Sequence, residues 1–368
     1  MPKGEKFVNP YRFVKPVKPD EQTIKRLKEK VTHEKFHGYS GTIHADLLTL
    51  TPIVIGGRKE PRYVPENPDQ RDIEKSFMHN PENNEPLIPG STLKGSIVTI
   101  YKILTGNNKN CEIIFGNMNR NRNELNFKGN IHFTDAQLDC EHSNRRAHDI
   151  KKLKEIKTVL GPPRDRHKAF YKDNNQIKLY HHQSYVTKVD QLHRRASANM
   201  TTVIVPISPD CVFSFKINFY NLNKTQLQYL LSSLFLDQGL CHKIGGGKPL
   251  GAGSVNISLD KIKICPDKKE FYKGRGKIEC FDNILDTLHY FAFDLIEIPD
   301  DTFEMLLWRP YDDNEYSYPN RYWFKDRSKR NSRTPLKSID EVFPDTDDEV
   351  VDDAINDIDA RWKKCFTD

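Results

Sequence analysis

Lys243-Ile244-Gly245-Gly246-Gly247-Lys248-Pro249-Leu250-Gly251-Ala252-Gly253 sets five glycines and two lysines into eleven residues. Glycine has no Cβ, so such a run can take positive φ and let its backbone approach another group closely. That leaves two readings, a tight structural turn or a backbone surface for a polyanion. The dinucleotide fingerprint needs G-x-G-x-x-G at the start of a helix, and the triphosphate loop needs G-x-x-x-x-G-K-[ST]. Here Pro249 follows Lys248, and Val255, Ile257 and Leu259 alternate as a strand. The loop is therefore neither pattern, and it leads into a strand.

Upstream of the loop, Phe213, Phe215, Ile217 and Phe219 line one face of a strand spanning Val203 to Phe219. Leu227, Leu230, Leu231 and Leu234 then form a helical stripe, with Asn223 or Thr225 as its cap. The same order occurs earlier in the chain. Tyr39 to Ile55 reads as a strand or strand pair ending at Gly56-Gly57. Leu93, Ile97, Ile100, Tyr101 and Leu104 make a helix for which Ser91 is the expected N-cap and Gly106 the terminator. Gly129 to Leu138 reads as a second strand, with Ile131 and Phe133 alternating against His132 and Thr134. The sum is an α+β chain in the βαββαβ order of a ferredoxin-like sheet with its helices on one face.

The expected divisions follow from this order. An N-terminal extension covers residues 1–35, with a short polar helix between Asp20 and Lys30 outside the core. The first half of the core spans 36–138 and contains a long proline-rich, charged loop at 58–86. A basic insertion occupies 139–200 and the second half of the core 201–265. A less periodic C-terminal extension runs over 266–339, and an acidic tail over 340–368. Residues 340–359 hold ten acids and no Lys or Arg, so the net charge of +6 conceals a body that carries +16. A basic body with an acidic tail favours a nucleic-acid partner. Seven scattered cysteines without a C-x-x-C pair argue against a zinc ribbon and for reduced thiols. No run has the length of a membrane span, and Met1-Pro2-Lys3-Gly4-Glu5-Lys6 leads into no apolar signal core. The expected place is the cytoplasm, with no membrane partner.

The element order, the glycine loop and Ile88-Pro89-Gly90-Ser91-Thr92-Leu93-Lys94-Gly95 together resemble the RAMP superfamily of CRISPR-associated proteins, the RRM-like backbone subunits of type III effectors. Gly129-Asn130-Ile131-His132-Phe133-Thr134-Asp135-Ala136 is similar to that family's second-strand motif. Leu160-Gly161-Pro162-Pro163, Tyr180-His181-His182 and Phe213-Ser214-Phe215 are similar to a single-repeat branch of III-D-like loci. The resemblance covers roughly residues 36 to 264. It implies an RRM-like core, with the basic insertion as a protruding thumb. It also implies a guide-RNA-binding subunit that polymerises with copies of itself, joins other CRISPR effector subunits and presents the guide to target RNA.

Under this resemblance the RNA-binding candidates are Gly56, Gly57, Arg58 and Lys59; Gly90, Ser91, Thr92 and Lys94; and Lys243, Gly245, Gly246, Gly247 and Lys248. A helix N-terminus with free amides favours a phosphate, and Lys94 one turn inward adds a cation if it faces solvent. Arg145, Arg146, Arg164, Arg166 and Lys168 are candidates in the insertion, which is otherwise a solvated loop. His181 and His182 are candidates for stacking or hydrogen bonding to RNA. Adjacent strand residues point to opposite faces and no third ligand is evident, so no metal site is assigned there. Tyr322, Trp323 and Phe324 either stack on bases or belong to a core.

Many family members cleave target RNA with an aspartate between the first strand and the first helix. This chain offers Asp69 and Asp72 there as catalytic candidates, with Arg58 and Lys59 where the family's aspartate usually follows the two glycines. Such chemistry requires Mg2+ or another divalent cation, and no tightly bound cofactor is otherwise expected. Two alternatives stand beside it. One is a non-catalytic backbone served by a separate nuclease; the other is a guide-processing endoribonuclease using His79, His181 or His182 as acid and base.

Overall fold

The computed structural model describes residues 6–7, 9–29, 35–63, 71–106, 108–117, 127–139, 156–158, 177–183, 202–204, 206–310, 316–317, 326, 328 and 348–366. Its centre is built from β1 (Tyr39–Thr49), α1 (Gly90–Thr105), β2 (Ile131–Phe133) and β3 (Ala136–Leu138). It continues with β4 (Val212–Leu222), α2 (Lys224–Leu234), β5 (His242–Lys243) and β6 (Ser254–Cys265). The strands lie in the order β5-β6-β1-β4-β3, with β2 also paired to β4, and all these pairings are antiparallel. Leu87–Ile88 extends the sheet beyond β3, and Glu279–Phe281 pairs with β6.

Period-two alternation divides this sheet into two faces. Phe213, Phe215, Ile217 and Phe219 of β4 and Ile43, Ala45 and Leu47 of β1 are buried. The expected stripes of α1 and α2 are buried with them, and the two helices pack against each other. Burying a side chain such as Leu230 contributes about 1.5–3 kcal/mol, so these stripes hold the helices to the sheet. Gly106 ends α1 with φ 73°, its N–H donating to Lys102 O at 3.1 Å. Asn223 caps α2 in a capping box with Gln226.

Several expectations are corrected. Residues 58–86 are not one long loop. Gly56–Tyr63 and Arg71–Phe77 form an antiparallel pair, and Thr202–Ile204 and Ile156–Thr158 extend it into a four-stranded sheet. Hydropathy does not mark the hairpin, because Gly56–Tyr63 and Arg71–Phe77 are largely polar at both parities, and Val203 and Ile204, expected as the start of a strand running to Phe219, belong to this second sheet instead. The predicted second strand is divided at Thr134 and Asp135 into β2 and β3. The expected N-terminal helix is present as Glu21–Leu27, with Asp20 as its N-cap, but Leu27 and Val14 are fully buried and join the core. Tyr11–Val14 pairs with Ile177–Tyr180, so that part of the basic insertion returns to the body.

The acidic tail also contains a docked element. Asp348–Phe366 forms α3, which buries Ala354, Ile358 and Cys365 against the body. Asp357 accepts from Trp308 Nε1 at 2.7 Å, Arg361 bonds Asp210 at 2.9 Å, and Trp362 Nε1 donates to Asn256 at 2.8 Å. The acids that dominate the composition of this helix hide a buried stripe spaced by about four residues. Among the described residues no cysteine is in a disulfide, and no helix is long and apolar enough to cross a membrane.

Candidate nucleic-acid interface

The glycine loop joins β5 to β6, and both of its ends are tied to residues 52–54. Gly246 N donates to Val54 O at 2.7 Å and Gly253 N to Pro52 O at 2.9 Å. Gly245 and Gly253 have φ of 74° and 87°, and a Cβ would lie 2.4 Å from Val54 O and 2.0 Å from Ile244 O. These glycines are therefore required by packing. The two lysines divide. Lys243 is buried and donates to Ser254 Oγ at 2.7 Å and Gly251 O at 3.0 Å. Burial, with Lys248 nearby, pulls its ammonium down to about 7. Lys248 is half-buried with no hydrogen bond from its ammonium to the described residues, and Gly246 is exposed.

The start of α1 differs from expectation. Pro89 is the N-cap, and Ser91 lies exposed inside the first turn. The Gly90 amide donates to Asp135 Oδ1 at 2.8 Å, so a carboxylate already occupies the position where an anion was expected. Gly90 itself is required because a Cβ would meet Phe133 O at 2.4 Å. Thr92 is half-buried. Lys94 does not face solvent freely: it donates to Phe115 O at 2.6 Å, and burial lowers its pKa. Of these four candidates, Ser91 is the exposed one.

The polar face of the sheet lies opposite the helices. Ser214, Lys216, Asn218 and Tyr220 of β4 share it with Thr42, His44 and Asp46 of β1 and with Ser258, Lys261 and Lys263 of β6. His132 of β2 is exposed beside Asn218. Partial burial, and then Lys216, lower the pKa of His44. At one end, Tyr220, Phe36, Phe271 and Tyr272 are exposed, and Lys268 Nζ lies 4.7 Å from the Tyr220 ring centre and 5.5 Å from that of Phe36. Aromatic faces beside cations suit unpaired bases and phosphates. Sequence reasoning missed this cluster. Its one signal was the period-two continuation of polar positions from Ser214 to Tyr220.

Behind the loop, α1, the strand Ile177–Tyr180 and the loop itself enclose a cavity of about 90 Å³. It brings together three of the sequence candidates, His182, Lys243 and Lys248, with Lys178, His242 and Ser96. Among the described residues, none that lines it is acidic. His181 and His182 are both buried, so neither presents a ring to the surface for stacking.

The remaining candidates are placed less fully. Gly56 is exposed at the start of the hairpin, and Gly57, Arg58 and Lys59 follow on the same strand. Asp72 lies on Arg71–Phe77 in register with Arg62. Asp69, Arg145, Arg146, Arg164, Arg166, Lys168, Tyr322, Trp323 and Phe324 lie outside the described residues.

A sequence model described as the RAMP superfamily matches residues 46–256, which take in the end of β1, both glycine motifs and the first residues of β6. No curated protein matches the chain. Among solved structures, the chain is similar to one from a cryo-EM structure of the type III-B Cmr-beta bound to cognate target RNA, with 17% identity and a TM-score of 0.32. The match covers 62% of this chain and 61% of that one, so this chain spans about three fifths of its length. With more than half of its residues inside the family match, this chain belongs to the RAMP superfamily.

Proposed function

We propose that the chain is an RNA-binding subunit of a type III-like CRISPR effector, arrayed in copies along a guide RNA that it presents to target RNA in the cytoplasm. The family match over residues 46–256 carries this reading. The strand order supports taking the sheet as ferredoxin-like, because β2 after α1 lies two places from β1, and β6, the long strand after α2, lies two places from β4, with the short β5 added at the edge. The polar face, with Lys216, Lys261 and Lys263 beside the aromatic end, is the surface on which RNA would lie. Binding of this kind is to the backbone, so it depends steeply on salt and little on sequence. Gel shifts with two unrelated single-stranded RNAs test it. Equal affinities that fall together as salt rises are expected, and no shift at low salt would refute it.

Target cleavage by Asp69 or Asp72, with Mg2+ or another divalent cation, belongs to the same reading. Among the described residues no group of His, Cys, Asp or Glu is gathered to hold a metal ion. Cleavage at the wild-type rate by both Asp69→Ala and Asp72→Ala would remove the assignment and favour a non-catalytic backbone. Burial of His181 and His182 disfavours guide processing by those two side chains.

A further inference from the structure

We propose that the cavity between α1 and the glycine loop is a seat for one phosphate-sized oxyanion. Three lysines and two histidines converge on it and no acid does, which is an unstable arrangement for a cavity with no anionic occupant. Each cation retains donor capacity. Lys243 uses two of its three ammonium protons, on Gly251 O and Ser254 Oγ. Lys178 Nζ lies 3.4 Å from the Tyr11 ring centre and 4.8 Å from that of Tyr180, held by aromatic faces and by no hydrogen bond to the described residues. Lys248 completes the set from the loop.

His182 points the same way. It is 1% exposed, yet neither ring nitrogen has a hydrogen-bond partner among the described residues. A polar group buried that deeply costs stability unless a bound group satisfies it. His242 donates Nε2–H to Leu234 O at 3.0 Å, so its Nδ1 is an acceptor and the donors to an anion are the three lysines and His182. Burial brings Lys243 to about 7 and Lys178 to about 8 and also lowers Lys248, a strain that an anion among them would relieve. At about 90 Å³ the cavity exceeds the ~10–15 Å³ that one water needs and has room for one tetrahedral oxyanion. Gly95 is exposed, and Ser96 and Lys248 are partly exposed, along its lining.

The phosphate belongs either to bound RNA or to free inorganic phosphate. Only the first source rests on the RNA-binding reading. The test titrates the full chain with inorganic phosphate by calorimetry, with chloride at matched ionic strength, before and after saturation with single-stranded RNA. Saturable binding of one phosphate is expected. Lys178→Met and Lys248→Met should each weaken it roughly tenfold, as befits one charge-assisted contact, with Lys178→Arg close to wild type. Circular dichroism checks that each variant is folded; if Lys178→Met is not, Lys248→Met on the rim carries the comparison. Loss of the phosphate signal in the RNA complex assigns the seat to an RNA phosphate, and its persistence assigns it to free phosphate. Phosphate binding without RNA binding would defeat the RNA reading and leave the seat standing. No saturable phosphate binding, or equal binding by folded variants and wild type, overturns the proposal.

Discussion

The start of α1 and the glycine loop carry similar sequence signals, small residues beside a lysine, and the structure uses them differently. At α1 the Gly90 amide meets Asp135 and Lys94 meets the Phe115 carbonyl, so the amide and the charge are both satisfied from within the chain. At the loop the glycines fit against residues 52–54, while Lys243 and Lys248 face a cavity with Lys178 and no acid. In both places glycine marks only a close backbone approach. Availability to a ligand is decided by the side chains that gather there from distant parts of the chain.

The largest effect that bears on this contrast is at the loop glycines. Gly253→Ala should destabilise by more than ~3 kcal/mol in urea unfolding, because its φ is positive and its Cβ would meet Ile244 O. Gly246→Ala, whose Cβ would find no atom nearer than 3.7 Å, should stay within ~0.5 kcal/mol. Equal losses would break the claim that packing selects particular glycines.

Next is the pH dependence from Lys243. Its folded pKa of about 7 lies below the ordinary lysine value of about 10.4, so between the two the unfolded chain holds more protons and stability rises with pH. Lys243→Met should flatten that rise in melting curves, while Lys178, lowered to about 8, retains a smaller rise of the same sign. Asp135→Ala should cost about 1–2 kcal/mol through the lost acceptor at Gly90, with RNA affinity unchanged. A gain in RNA affinity would instead show the carboxylate to be blocking a phosphate seat. Smallest in stability is Lys216→Gln on the polar face, within ~0.5 kcal/mol. It should weaken RNA a few-fold and reduce the salt slope by ~0.7.

The core was legible because its periods are strong. Phe213 to Phe219 alternate, and the Leu93 and Leu227 stripes are buried where they were expected. The hairpin at Gly56–Tyr63 and Arg71–Phe77 was not, because no apolar alternation distinguishes it from a loop. In α3 the spacing of Ala354, Ile358 and Trp362 was present, but the charge of the segment obscured it. The candidate site was legible as motifs and not as chemistry. Asp135 reaches Gly90 across 45 residues, and Lys178 and His182 reach the glycine loop only through strand pairing with Tyr11–Val14 and Trp308–Arg309. Composition carries no trace of such long-range partners.

The central claim, that this chain binds and lines an RNA backbone, is tested most directly by native mass measurement of the chain with single-stranded RNAs of increasing length at low salt. The number of bound copies should rise stepwise with RNA length, with the steps at the same lengths for unrelated sequences. No bound RNA, or a single copy whatever the length, would contradict it.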